Sequence, residues 1–190
     1  MEAPMETHLS METLRAGLPH VRQAPANNGR LAMIVIRPAV DERVAVDTAG
    51  LSHSHGLEGD TWRQRGSSHS PDGSAEPDRQ ITLVSIRALQ VISPDETRWP
   101  LAGDQLYVDM DLSPENLPPG QRVKVGTAVL EITAAEHRGC VKYSRRFGKD
   151  ALKFVNQDGW PLRLRGIYAR VVQDGTISVG DALEKIANSG

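Results

Sequence analysis

Between Leu31 and Arg37 the apolar residues Met33, Ile34, Val35 and Ile36 run together and stop at Pro38, which predicts a buried strand. Arg43 to Val46 is a second candidate strand, and Arg79 to Val84 a third. Ser85 can then cap a short helix carrying Ile86, Leu89 and Val91 or Ile92, stopped by Pro94. Residues 121–125 and 128–132 alternate apolar and polar positions around Gly126 and Thr127, the pattern of a hairpin. Residues 167–172 and 176–179 predict a second hairpin turning at Asp174 and Gly175. Between them Phe147, Ala151, Phe154 and Val155 follow the i, i+4, i+7, i+8 spacing of an amphipathic helix. Short strands joined by glycine and proline turns imply a mainly β (α+β) fold, a β-barrel or strongly curved sheet with a few short helices.

Residues 1–28 are polar and poorly patterned, and read as a flexible N-terminal tail holding at most a short helix from Ser10 to Ala16. The expected domain spans 29–187. The stretch from Thr61 to Asp78 is rich in serine, glycine, proline and charge, and reads as an insertion too polar to order firmly. At 190 residues one domain can bury a core without staples, and no repeat suggests a second.

Composition narrows the function classes. A formal charge of −2 offers no global attraction to nucleic acid or anionic membrane, and the tryptophans are too scattered for base stacking. No run approaches the roughly 18 apolar residues of a membrane span. The N-terminus lacks the basic start and apolar run of a secretory signal, so the expectation is a soluble, cytoplasmic protein. One cysteine excludes an internal disulfide and suits a reducing compartment.

That cysteine, Cys140, lies in the segment His137 to Lys149, which holds five Lys or Arg residues and no acid. If it sits near a helix start, unpaired N–H groups and nearby cations favour its thiolate. Gly139 would let the chain turn and a bulky partner approach the sulfur. Against this, a lone cysteine is more often an inert buried hydrophobe, and a charge cluster can be a solvated helix face. The residues alone reach a candidate nucleophile or soft-metal ligand with room for an anion.

Several segments in order resemble the MOSC domain family. They are Gly56 to Asp60, Arg79 to Leu83, Pro114 to Leu117, Val125 with Gly126, Cys140 at the family's cysteine position, and residues 165–172 with 177–181. The residue before the cysteine, Gly139, departs from the family's usual proline or polar residue. The resemblance implies a MOSC-type β-barrel of the stand-alone bacterial kind, working in sulfur or molybdenum-cofactor chemistry. It places Cys140 as the carrier of sulfane sulfur or as a molybdenum ligand, and Asn116 at the family's asparagine, which could equally form an Asx-type turn between Pro114 and Pro118. Arg138 and Lys142 of the basic segment are further candidate contacts to a molybdenum–pterin cofactor. The resemblance implies a sulfur donor such as a cysteine desulfurase, or a redox partner. The activity would be that of a cofactor-dependent reductase or a sulfur-transfer protein. A non-catalytic binding module for a phosphorylated metabolite or a partner protein is the alternative.

Other residues carry weaker signals. Arg79 could reach an anion or pair at the surface. His137, three residues before Cys140, could stabilise the thiolate or donate a proton, or be an exposed loop residue. His53 and His55 make a weak metal pair, and Asp60 and Asp104, each following glycine, read as turn closers.

Overall fold

The structure, a computed structural model, describes residues 8–187. The chain order is α1 (Met11–Ala16), α2 (Leu18–Val21), β1 (Gly29–Ile36), β2 (Val44–Val46), β3 (Thr48–Ser52), β4 (Gly56–Leu57) and α3 (Trp62–Arg65). Then come β5 (Ile81–Ser85), α4 (Ile86–Ile92), β6 (Leu106–Asp109), β7 (Arg122–Val125) and β8 (Ala128–Ile132). The last elements are α5 (Val141–Phe147), α6 (Lys149–Asn156), β9 (Ile167–Gln173), β10 (Gly175–Ser178) and β11 (Ala182–Ile186). Short 3₁₀ turns at Pro77–Arg79, Glu96–Ala102 and Trp160–Leu162 join them.

The expected barrel is present. Strands run in the order β11-β7-β8-β9-β5-β6-β1, and β1 pairs back with β11 to close the ring. All neighbours are antiparallel except β5 and β6, where Leu83 stands opposite Leu106. Alternation divides these strands between two cores. Leu106 and Val108 point into the barrel with Ile81 and Leu83, while Tyr107 and Val84 face outward into a helix-covered layer. Both faces are covered, so β5 is buried at every residue, Thr82 and Ser85 included. The helix after it is as expected: Ser85 caps α4 by accepting from Ala88 N.

The second hairpin is not a hairpin. β9 lies between β5 and β8, whereas β10 leaves the barrel to pair with β3, Gly175 opposite Leu51 and Ser178 opposite Thr48. The β7–β8 turn diverts it: Thr127 Oγ1 accepts from Thr176 N at 2.8 Å and Thr127 N donates to Thr176 O at 3.0 Å. A Cβ on Gly175 would fall 2.4 Å from Ala128 N, so only glycine passes here. The small sheet of β10, β3 and β4 lays Ile177, Ala49, Leu51 and Leu57 onto the interior cluster.

The stretch before Gly29 is no free tail. Its first seven residues lie outside the described ones, but α1 and α2 dock on the outer layer. Leu14 is fully buried, Met11 N donates to Asp150, and Arg15 pairs with Asp158 at 3.0 Å. Leu14 and Val21, with Leu9, Met11 and Leu18 packed beside them, outweighed the polar composition around them. The polar stretch from 61 to 78 is likewise anchored at one end by buried Trp62. The predicted helix through Phe147 and Val155 is two helices, broken where Gly148 adopts φ +96°.

Candidate functional site

After β8 the chain enters α5 through Cys140, which is extended and exposed. Its backbone is clamped from α6. Asn156 Oδ1 accepts from Gly139 N at 2.8 Å, and Asn156 Nδ2 donates to Gly139 O at 3.0 Å. A Cβ on Gly139 would sit 2.7 Å from Leu152 Cδ1, so this glycine serves close packing against α6 rather than access to the sulfur. Burial works against the thiolate, but the N–H groups of Tyr143 and Lys142, then Arg165 and Arg146, outweigh it. The Cys140 pKa therefore lies below the ordinary thiol value.

Cys140 borders a cavity of about 490 Å³ whose wall is dominated by arginine. Two of these are fixed by buried carboxylates. Arg37 donates Nε to Asp60 Oδ2 at 2.7 Å and Nη2 to Oδ1 at 3.0 Å. Arg165 donates Nη1 to Asp104 Oδ2 at 2.6 Å and Nη2 to Ala102 O at 3.1 Å, and lies over the Tyr143 ring. Asp60 does close a turn, accepting from Trp62 N at 2.9 Å, but its carboxylate also holds Arg37; Asp104 is a buried ion-pair partner and not a turn closer. They hold guanidiniums at the cavity wall in a geometry that buried pairs keep because losing either partner costs several kcal/mol. Arg165 Nε is buried and unpartnered among the described residues.

The remaining cations are held more loosely. Arg79 pairs with Glu76 at 3.1 Å and reaches the Glu136 carbonyl, so it does line the cavity. Arg146 donates to Leu101 O at 2.8 Å and to Asp41 at 3.2 Å. Lys142 lines the same wall, 3.9 Å from Asp41. Arg43 and Arg65 complete it.

His137 is not an exposed loop residue. Its side chain is 9% exposed, packs against Tyr168, and points Nδ1 at Asp104 Oδ1 from 3.6 Å, beyond hydrogen-bond reach. Burial first, then Arg165, Arg37 and Arg79, push its pKa well below the ordinary value. It is neutral at pH 7 and supplies no positive charge to the thiolate.

Of the three expected cofactor contacts, Asn116, Arg138 and Lys142, only Lys142 joins Cys140 in the cavity, alongside His137 and Arg79. Arg138 stacks on Trp160 at 4.0 Å and pairs with Glu136. Asn116 donates to Asp111 O at 2.7 Å and accepts from Lys185 Nζ at 2.7 Å, so both ends of its amide are engaged elsewhere. His53 and His55 form no metal set, and among the described residues no group of three or more His, Cys, Asp or Glu side chains could hold an ion. Sequence reasoning missed Arg37, Arg43, Arg65, Arg146, Arg165, Asp60 and Asp104 as site residues. The glycine–aspartate pairs were the available signal for the two carboxylates.

The sequence matches the MOSC domain family over residues 70–184. Among solved structures, the YUAD protein from Bacillus subtilis superposes with a TM-score of 0.63 at 16% identity, covering 83% of this chain and 94% of that one. YiiM from Escherichia coli gives 0.55 at 18%, covering 85% and 71%. YiiM from Geobacillus stearothermophilus gives 0.54 at 16%, covering 84% and 75%. At such identities the likeness establishes the shared fold. No curated protein matches the sequence. The family match spans more than half the chain and takes in the barrel strands from β5 to β9 together with Cys140: this protein belongs to the MOSC domain family.

Proposed function

We propose that the cavity beside Cys140 binds the molybdenum–pterin cofactor, with the Cys140 sulfur as its soft ligand. The observation that carries this is the juxtaposition of a thiol of depressed pKa with an arginine-walled cavity. Sulfur suits a soft metal. Guanidiniums suit the phosphate of the pterin, and the unpartnered Arg165 Nε is a buried donor in need of an acceptor. When bound, the group would supply a metal centre able to exchange oxygen and electrons with a substrate. The chain's own part is binding and positioning. Asn156 fixes the Cys140 backbone, Asp104 and Asp60 orient Arg165 and Arg37, and neutral His137 can give or take a hydrogen bond without adding charge. Electrons would come from a separate redox partner.

A second reading is favoured by the exposure of Cys140: a sulfur carrier in the cytoplasm. There the Cys140 thiolate attacks the outer sulfur of a donor's persulfide, the donor cysteine leaves as thiolate, and Cys140 keeps the sulfane sulfur. A cysteine desulfurase is the donor class. No helix among the described residues is long and apolar enough to cross a membrane.

Protein purified from cells supplied with molybdate separates the readings. Molybdenum and oxidised-pterin fluorescence in wild type, both absent from Cys140→Ser, support the cofactor site. A mass increase of one sulfur on Cys140 without metal supports the carrier. If ligand binding and cellular phenotype survive Cys140→Ser, the protein is a binding module and both sulfur readings fail.

A further inference from the structure

Val141, the residue after Cys140, is 65% exposed, although it opens a helix whose Tyr143 and Phe147 are buried. With Leu9, Ser144, Arg145 and Lys149 it lines an open depression of about 760 Å³ on the face of α5 and α6. The depression shares no lining residue with the arginine-walled cavity: Cys140 borders the one and Val141 the other, so the thiol stands at their boundary. Val141 and Arg145 are one helical turn apart, about 6 Å along α5, and Lys149 opens α6 with Lys153 one turn further on. Arg145, Lys149 and Lys153 are exposed and have no ion-pair partner among the described residues. The carboxylate of the depression, Asp150, accepts from Met11 N at 3.0 Å. A chain of formal charge −2 thus carries a cationic face with an exposed valine, beside its only cysteine.

We propose that this face of α5 and α6 docks an acidic partner protein that reacts at Cys140. Apolar surface beside unpaired cations has the make-up of a transient protein interface: the valine gives a centre that drives out water, and the cations steer a partner of opposite charge. A small anion would answer Arg145 and Lys149 and leave Val141 in water. A protein with carboxylates around its own reactive atom answers both, and brings that atom to the boundary where Cys140 stands. The docking face rests on the proposed function only for what the partner delivers, electrons in the cofactor reading and sulfur in the carrier reading.

The test is thiol–disulfide exchange with an acidic probe protein, a flavodoxin bearing one surface cysteine as its thionitrobenzoate disulfide. The Cys140 thiolate attacks the flavodoxin sulfur, thionitrobenzoate leaves, and its absorbance gives the rate. Protein from a host unable to make the pterin cofactor keeps the thiol free. Each rate is divided by that for iodoacetamide, which is small and neutral and so corrects for thiol reactivity. At low ionic strength the wild-type ratio should exceed, by roughly tenfold, that for the same flavodoxin with its carboxylates amidated, and the excess should vanish in about 1 M salt. Arg145→Glu and Lys149→Glu should each cut the ratio by about threefold or more, and Val141→Ser by about twofold. Lys124→Glu, at an exposed position on β7 that lines neither cavity, should change it by less than about twofold. Thermal melts verify that each variant is folded. Equal ratios for acidic and amidated flavodoxin, or for wild type and both reversals, overturn the docking face. So does a wild-type dimer in sedimentation that Val141→Asp makes monomeric, which gives the face to a second copy. Molybdenum and pterin in wild type from ordinary cells are read separately. Their presence with equal ratios removes the docking face and leaves the cofactor site, and their absence with unequal ratios does the reverse.

Discussion

Asp60→Asn tests whether a buried carboxylate holds the cavity wall. Asp60 is fully buried at its side chain and accepts four hydrogen bonds: from Arg37 N at 3.1 Å, Nε at 2.7 Å and Nη2 at 3.0 Å, and from Trp62 N at 2.9 Å. Asparagine has nearly the same shape but only one acceptor oxygen. If that oxygen keeps Trp62 N and Arg37 Nη2, its amide group meets Arg37 N and Nε, donor against donor. The change removes two hydrogen bonds to an ionised carboxylate, each worth about 1.5–3 kcal/mol. It also leaves the guanidinium without its counter-charge in a wall 9% exposed. Together these predict a loss of about 3–5 kcal/mol, the range for breaking a buried pair. At about 2–4 °C per kcal/mol for a chain of this size, the melting temperature should fall by at least about 6 °C. Urea titration followed by tryptophan fluorescence reads the loss directly, with an unchanged m-value as the check on two-state behaviour. A cycle with Arg37→Met should return a coupling of at least about 1.5 kcal/mol, because the residues touch. A loss under about 1 kcal/mol, or additive single variants, would refute the claim that this pair organises the wall.

The Cys140 alkylation rate against pH should have its midpoint below about 8.5, the value of a free thiol, and Arg146→Gln should raise it; a wild-type midpoint at or above that value sinks the activated thiolate. His137 has a folded pKa below its unfolded value of 6.5, so the unfolded state binds the extra proton as pH falls. Its contribution is complete above 6.5 and is lost as pH drops below it, so His137→Gln should flatten the stability–pH curve between about pH 7 and about pH 5. Parallel curves for the two proteins would contradict the buried neutral imidazole. Leu14→Ala should cost about 2–5 kcal/mol in the same urea assay, since its side chain is fully buried under the outer layer. A change under about 0.5 kcal/mol would mean that α1 is only loosely docked.

Much of the fold was legible because its signals are local. Ser85 before an apolar period of helical spacing could only cap a helix, and Gly126 between two alternating runs could only turn a hairpin. Cys140 was legible as the last residue before α5 for the same reason. The second hairpin failed because turn composition at Asp174 and Gly175 says that the chain bends, not where it goes. Thr127, some fifty residues away in sequence, decided that. Leu14 failed in the other direction: Leu14 and Val21 are buried in two helices too short, and broken by Gly17 and Pro19, to give a sustained period.

By itself, then, the sequence determined the kinds and order of most strands and helices, the closed barrel through its family resemblance, and the placing of the lone thiol among cations. Periodicity, capping and turn chemistry act over a few residues, and so can be read from a few residues. Only the tertiary structure decided which charges share a cavity with the sulfur. Arg37, Arg43 and Arg65 come from before β5, Arg146 from α5 and Arg165 from the approach to β9, and they meet because barrel closure brings distant segments to one wall. It also removed Asn116 and Arg138 from that wall by giving them other partners. Charge interaction depends on distance in space and on burial, and neither is written in sequence separation.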